Sequence, residues 1–135
     1  MRRRTKAREL ALKILYQINV TGDTYKESLR SFWKSHKTSP QSKDFATILV
    51  QGTMENIGKI DDVISKYAMN WQIKRMAVVD RNILRMGTYE LLYLPDIPPK
   101  VSINEAVDIA KKYSDPQSGK FVNGILDKIH RTELG

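Results

Sequence analysis

The sequence has no cysteine, which excludes a disulfide scaffold, a thiol nucleophile and any thiolate metal site. Histidine is almost as scarce. His36 and His130 stand 94 positions apart, with none of the spacing of a metal-ligand pair. No apolar run approaches the roughly 20 residues that a membrane span needs. Met1 is followed by Arg2, Arg3 and Arg4 instead of the apolar stretch of a signal peptide. These absences leave a soluble, cytoplasmic protein without a membrane role as the expectation. The 135 residues suffice for one domain and fall short of two of ordinary size, and 41% hydrophobic residues can bury a core.

Acidic residues are missing from one place in particular. Residues 1–43 hold 11 Lys/Arg against Glu9, Asp23 and Glu27, a net of +8, whereas residues 44–135 hold 12 of each sign. All the excess charge lies in the first third. A basic segment joined to a neutral remainder suggests a polyanion partner.

Periodicity sets the fold class as all-α. Ala7, Ala11, Ile14, Leu15 and Ile18 recur at helical steps, with Arg4, Arg8 and Lys13 on the opposite face, and Gly22 and Asp23 end the segment. Thr24 and Glu27 have capping-box spacing before Leu29, Phe32 and Trp33. Ser39 and Pro40 start the next helix, in which Phe45, Ile48, Leu49 and Gly52 share a face that Ile57, Ile60, Ile64 and Tyr67 continue to a link around residues 70–74. From Arg75 to Leu94 apolar residues cover most of the circumference, the pattern of a central helix. Ser102 and Glu105 read as a second capping box, and a last helix runs from about Ser118 to Thr132 after the break at Asp115 and Pro116. About seven helices follow, with no alternation long enough for a strand.

Few residues here can do chemistry. Asp61 and Asp62 diverge on a helix and make a poor acid/base dyad, and no nucleophile, metal set or cofactor loop is present, so catalysis is not expected. Arg2, Arg3, Arg4, Lys6, Arg8 and Lys13 form a cluster that suits phosphate oxygens, against the bland reading of a solvated terminus. At the start of the last helix, Ser118, Gly119 and Lys120 hint at a nucleotide loop. The upstream glycine of that motif falls at Ser114, however, and Phe121 replaces the required hydroxyl, so an NTPase is excluded. The amides there, with Lys120, can still hold a phosphate. Phe121 either extends the inward face of Val122, Ile125 and Ile129 or serves as a stacking platform for an unpaired base. Asp80, Arg81, Arg85 and Glu90 interrupt the central helix and are expected to pair with one another or to cap neighbours. Tyr89, Tyr93 and Trp71 read as core or as partner anchors.

Several motifs in order then carry a resemblance over nearly the whole chain. They are Arg3-Arg4-x-x-Ala7-Arg8-x-x-Ala11-x-x-x-Leu15-Tyr16-Gln17, Val79-Asp80-Arg81-Asn82-Ile83-Leu84-Arg85 with Tyr89-Glu90-Leu91, Asp96-Ile97-Pro98 with Ile103-Asn104-Glu105-Ala106-Val107, and Lys120-Phe121-Val122-Asn123-Gly124-Ile125-Leu126-Asp127-Lys128. Together they resemble the NusB family of transcription antitermination factors. The resemblance implies two packed helical bundles in one compact domain spanning residues 1–135, no catalysis and no cofactor. It implies binding of single-stranded boxA RNA together with NusE, a small-subunit ribosomal protein, within the complex that makes bacterial RNA polymerase resist termination on ribosomal RNA operons. The RNA contacts it implies are the arginine-rich start, Arg2, Arg3, Arg4, Lys6 and Arg8, and Phe121 with Lys120. An acidic residue common four positions before that Phe is Gln117 here. Because ribosomal proteins are usually basic, NusE is expected on the neutral part of the chain, where Asp61, Asp62, Asp80, Glu90 and Asp96 offer carboxylates among apolar surface and Tyr89 an aromatic anchor. Two alternatives belong to other classes: the RNA-binding part of a ribosomal RNA methyltransferase, and a protein-binding, homodimeric scaffold.

Overall fold

The computed structural model describes residues 3–69 and 72–134, and all the regular structure in them is helical. Arg2 and Trp71 lie outside the described residues. The chain divides into two compact units, up to Glu55 and from Asn56 onward.

The first unit contains α1 (Arg3–Thr21), α2 (Tyr25–Ser35) and α3 (Pro40–Glu55), with α2 and α3 both packed on α1. Its boundaries follow from local chemistry. Gly22 closes α1 with a positive φ of 75°, a conformation that side chains disfavour. Thr24 Oγ1 accepts from the Glu27 amide at 3.2 Å, and Ser39 Oγ accepts from the Ser42 amide at the same distance, so both expected caps form. Ala7, Ala11, Ile14 and Leu15 are buried with Leu29, Phe32, Phe45, Leu49 and Val50. Two expectations fail here. Ile48 is 47% exposed, and Arg8, assigned to the solvent face, is buried with its guanidinium 5.3 Å from the centre of the Phe45 ring. An aliphatic stem in the core under a cation on an aromatic face lets an arginine occupy such a position.

The second unit contains α4 (Ile57–Tyr67), α5 (Val78–Tyr93), α6 (Pro99–Tyr113) and α7 (Pro116–Ile129), with a 3-10 turn at Ile73–Arg75 and a wider π-type turn at His130–Leu134. The helix expected to run through residues 40–67 is therefore two helices, divided at Asn56. Helix α6 starts at Pro99, not at Ser102; proline at its first position needs no amide partner. Ser102 is inside the helix, where its hydroxyl donates to Glu90 Oε1 at 2.8 Å. Asp115 caps α7 through the Ser118 amide at 2.7 Å, which moves that helix start to Pro116.

Helix α5 is the centre of this unit, packed against α4, α6 and α7, and its side chains from Asn82 to Leu91 are buried except Arg85. Three of its charged residues tie it to its neighbours. Arg85 forks onto both oxygens of Asp61 on α4 at 2.8 Å. Glu90 takes Ser102 of α6, and Asp80 Oδ2 takes the Ser118 hydroxyl of α7 at 3.2 Å. Each tie satisfies a polar group that burial on a central helix would otherwise leave costly.

Candidate nucleic-acid interface

The last of these ties fixes a site in the second unit. Ser118 is buried, and its hydroxyl bridges Asp80 Oδ2 and the Ser114 hydroxyl, the latter at 2.8 Å. Gly119 lies so close to α6 that a Cβ there would come within 2.9 Å of Lys111 Cγ. The glycine before Lys120 thus serves helix packing and not a phosphate loop. With Ser118 and Gly119 turned inward and Val122 fully buried, Lys120 is left exposed and Phe121 half-buried. They border a cleft of about 440 Å³, within the usual range of ligand sites, whose other walls are Met76, Ala77, Asp80, Asp115, Gln117 and Ser118.

The charges of this cleft decide what it can take. Among the described residues Lys120 is its one cation, against Asp80 and Asp115. Burial pushes the Asp80 carboxyl up from its ordinary pKa, outweighing the hydrogen bond from Ser118 that favours the ion, and Asp115 nearby adds to the rise. Phosphate held by the α7 amides, the reading taken from the sequence, would meet two carboxylates. An aromatic face, an exposed amide at Gln117 and weak net charge suit a base better than its phosphate. Met76 and Ala77, read from the sequence as the start of the central helix, lie instead in the link before α5, which begins at Val78, and nothing in the sequence marked them as walls of a cleft.

The basic start of α1 belongs to the first unit. Arg3, Arg4 and Lys6 are exposed, and the Arg4 guanidinium lies 4.6 Å from the centre of the Phe45 ring. Ser42 Oγ donates to the Arg3 carbonyl at 3.0 Å, so α3 holds this end of α1 twice over. Arg8 is 3% exposed and is a core residue, not an open phosphate ligand. Phe45 carries no mark in the sequence beyond its place on an apolar face.

The residues expected to face a protein partner are not gathered on a surface. Glu90 is 2% exposed and turned to Ser102; Tyr89 is 9% exposed and stacked on Tyr93 at 5.4 Å between centroids. Asp80 is half-buried at the cleft and Asp61 is taken by Arg85, which leaves Asp62 and Asp96 as the exposed carboxylates of that set. Among the described residues no cluster of His, Cys, Asp or Glu could hold a metal ion, and no helix is long and apolar enough to cross a membrane. His36 lies flat on Phe32, with centroids 3.8 Å apart.

A family model described as the NusB family matches residues 5–131. The chain belongs to the NusB family. It is 46% identical to the transcription antitermination protein NusB of Thermodesulfovibrio yellowstonii, over 98% of this chain and 94% of that one. The corresponding protein of Trichlorobacter lovleyi is 48% identical, over 93% and 89%. The fold superposes with a TM-score of 0.85 on a chain in the crystal structure of antitermination factors NusB and NusE in complex with dsRNA, at 34% identity and covering 97% and 98%. These NusB relatives are matched over nearly their own full length. Membership of the NusB family makes the protein a transcription antitermination factor, a regulator without catalysis.

Proposed function

We propose that this antitermination factor binds single-stranded boxA RNA together with NusE, at RNA polymerase in the bacterial cytoplasm. The observation that carries the reading is Phe121, half-buried on α7 with Lys120 exposed beside it and a weakly charged cleft in front. A ring held in that way offers a base about 1 to 3 kcal/mol of stacking. In the first unit, exposed Arg3, Arg4 and Lys6 supply the sequence-independent attraction to phosphate. NusE and RNA are the companions of a similar protein in a solved complex, which supports the same partner classes here.

That complex holds duplex RNA, so the choice between single strand and duplex belongs in the test. Anisotropy titrations would compare single-stranded boxA, a scrambled strand and a boxA duplex, each with and without NusE and at several salt concentrations. The expected result is preference for single-stranded boxA that sharpens with NusE, each ligand tightening the other by the same factor. Equal affinity for all three RNAs in both conditions would refute the reading. Tyr16 and Val20, one turn apart on α1 and 48% and 66% exposed, favour one further reading, a protein contact on the first unit. Sedimentation at rising concentration, with and without NusE, separates self-association from NusE docking there.

A further inference from the structure

Asp80 and Arg81 are consecutive in the first turn of α5, and a helical step of about 100° turns them to different sides. Asp80 faces the Phe121 cleft. Arg81 lines a second cleft of about 540 Å³, with Lys74, Arg85 and Asp61 among its walls. The two clefts have opposite character: the Phe121 cleft has one cation against two carboxylates, the second three cations against one carboxylate.

Arg85 is already neutralised, because both its bonds go to Asp61. Arg81 is not. Its Nε is buried without a hydrogen-bond partner, and its Nη1 reaches only the Ile73 carbonyl at 3.5 Å. Neither Arg81 nor Lys74 pairs with a carboxylate among the described residues. A half-buried guanidinium without an anion has lost hydration that the long contact to the Ile73 carbonyl replaces only in part, and a fork of N–H donors beside an ammonium matches a phosphodiester. At the rim, Met69 is 72% exposed with φ at 50°, an uncommon conformation for a residue with a side chain, and its thioether offers a soft contact for a base.

We propose that the cleft of Arg81 and Lys74 binds the phosphate of a nucleotide flanking the one stacked on Phe121, so that one RNA strand passes around the first turn of α5. This rests on the RNA-binding reading above and deepens it: the Phe121 cleft takes a base and leaves the phosphate charge unmatched, and the Arg81 cleft supplies the match.

The test uses the full chain with nitrogen-15 arginine, following the Nε–Hε resonances by NMR; the Arg81 signal is identified by its loss in Arg81→Lys. A short single-stranded RNA, AMP and inorganic phosphate are titrated separately. The proposal expects RNA to shift the Arg81 resonance, and AMP to shift it even in Phe121→Ala. In Lys74→Gln, an exposed substitution that leaves the core alone, the slope of log affinity for RNA against log salt should fall by about 0.7. If RNA shifts the Phe121 ring signals and leaves Arg81 unmoved, the Arg81 cleft is no part of the path and the RNA reading survives. If AMP or phosphate shifts Arg81 and RNA does not, the cleft takes free anions and the proposal is overturned. If RNA moves neither residue, both readings fall together.

Discussion

The Ser102 hydroxyl donates to Glu90 Oε1 at 2.8 Å, with both side chains inside the second unit. This bond makes Glu90 a link between α5 and α6. Ser102→Ala should therefore cost about 1.5 to 3 kcal/mol of folding stability, the range for a hydrogen bond to a charged group, read as a shift in denaturant midpoint. RNA affinity of the folded variant should stay at the parent value. A neutral effect on stability would mean that the carboxylate does not depend on this donor.

Phe121 and Leu126 share α7 and should separate cleanly. Phe121→Ala should lower RNA affinity by about 1 to 3 kcal/mol and barely move the melting temperature, because the ring is half-buried at a cleft. Leu126→Ala removes a fully buried side chain and should cost about 2 to 5 kcal/mol of stability. A thermal melt and an RNA titration on each variant decide the matter; a Phe121 variant that melts early with normal RNA binding returns the ring to the core.

The basic end of α1 contains two kinds of cation. Neutralising Arg3, Arg4 and Lys6 together should weaken boxA and scrambled RNA alike and reduce the salt slope by about 0.7 for each phosphate that the variant no longer neutralises. Arg8→Ala should act mainly on stability, since its side chain fills space beside Phe45. Parallel salt series and denaturant curves would show whether the two effects divide in this way.

Acid should loosen the last turn first. Tyr67 and Lys66 both hydrogen-bond Glu133, Tyr67 with the larger effect, and hold its pKa below the ordinary 4.5. A carboxyl depressed in the folded state contributes fully above its unfolded pKa and loses that contribution as pH falls through the folded value. The His130–Leu134 turn should open over that acidic window, seen as faster amide exchange. Tyr67→Phe, which removes the larger cause, should move the opening to higher pH. Lys66, raised by the same partner, loses its share only above pH 10.5, at the other end of the scale.

Caps were legible in the sequence because their chemistry is local. Thr24 with Glu27 and Ser39 with Pro40 each carry the acceptor or the ring that starts a helix. Asp115 and Pro116 carry the same chemistry but read in the sequence as a break, with the helix expected only from about Ser118. The break at Asn56 was hidden because apolar residues keep helical spacing across it, and periodicity does not register a one-residue interruption. Ser102 and Glu105 satisfied the capping pattern by composition while Pro98 and Pro99 had already started α6.

The candidate site divides along the same line. Phe121 and Lys120 were found from neighbouring residues on one helix, with both the core and the stacking roles left open for the ring. The burial of Arg8, the inward turn of Glu90 and the open guanidinium of Arg81 depend on Phe45, Ser102 and the link before α5, which lie 37, 12 and several residues away in sequence. Such partners are chosen by tertiary packing, which composition and spacing do not encode directly.

The Arg4 guanidinium resting on the Phe45 ring bears on the rate and entropy of an encounter. A free arginine carries about 2 kcal/mol of rotamer freedom that immobilisation on a phosphate removes. A side chain already leaning on an aromatic face has surrendered part of that freedom before any ligand arrives. The start of α1 then presents an arginine in a favoured orientation instead of a loose brush. An incoming strand meets a partly ordered surface, so less of its binding energy is lost to arranging the protein.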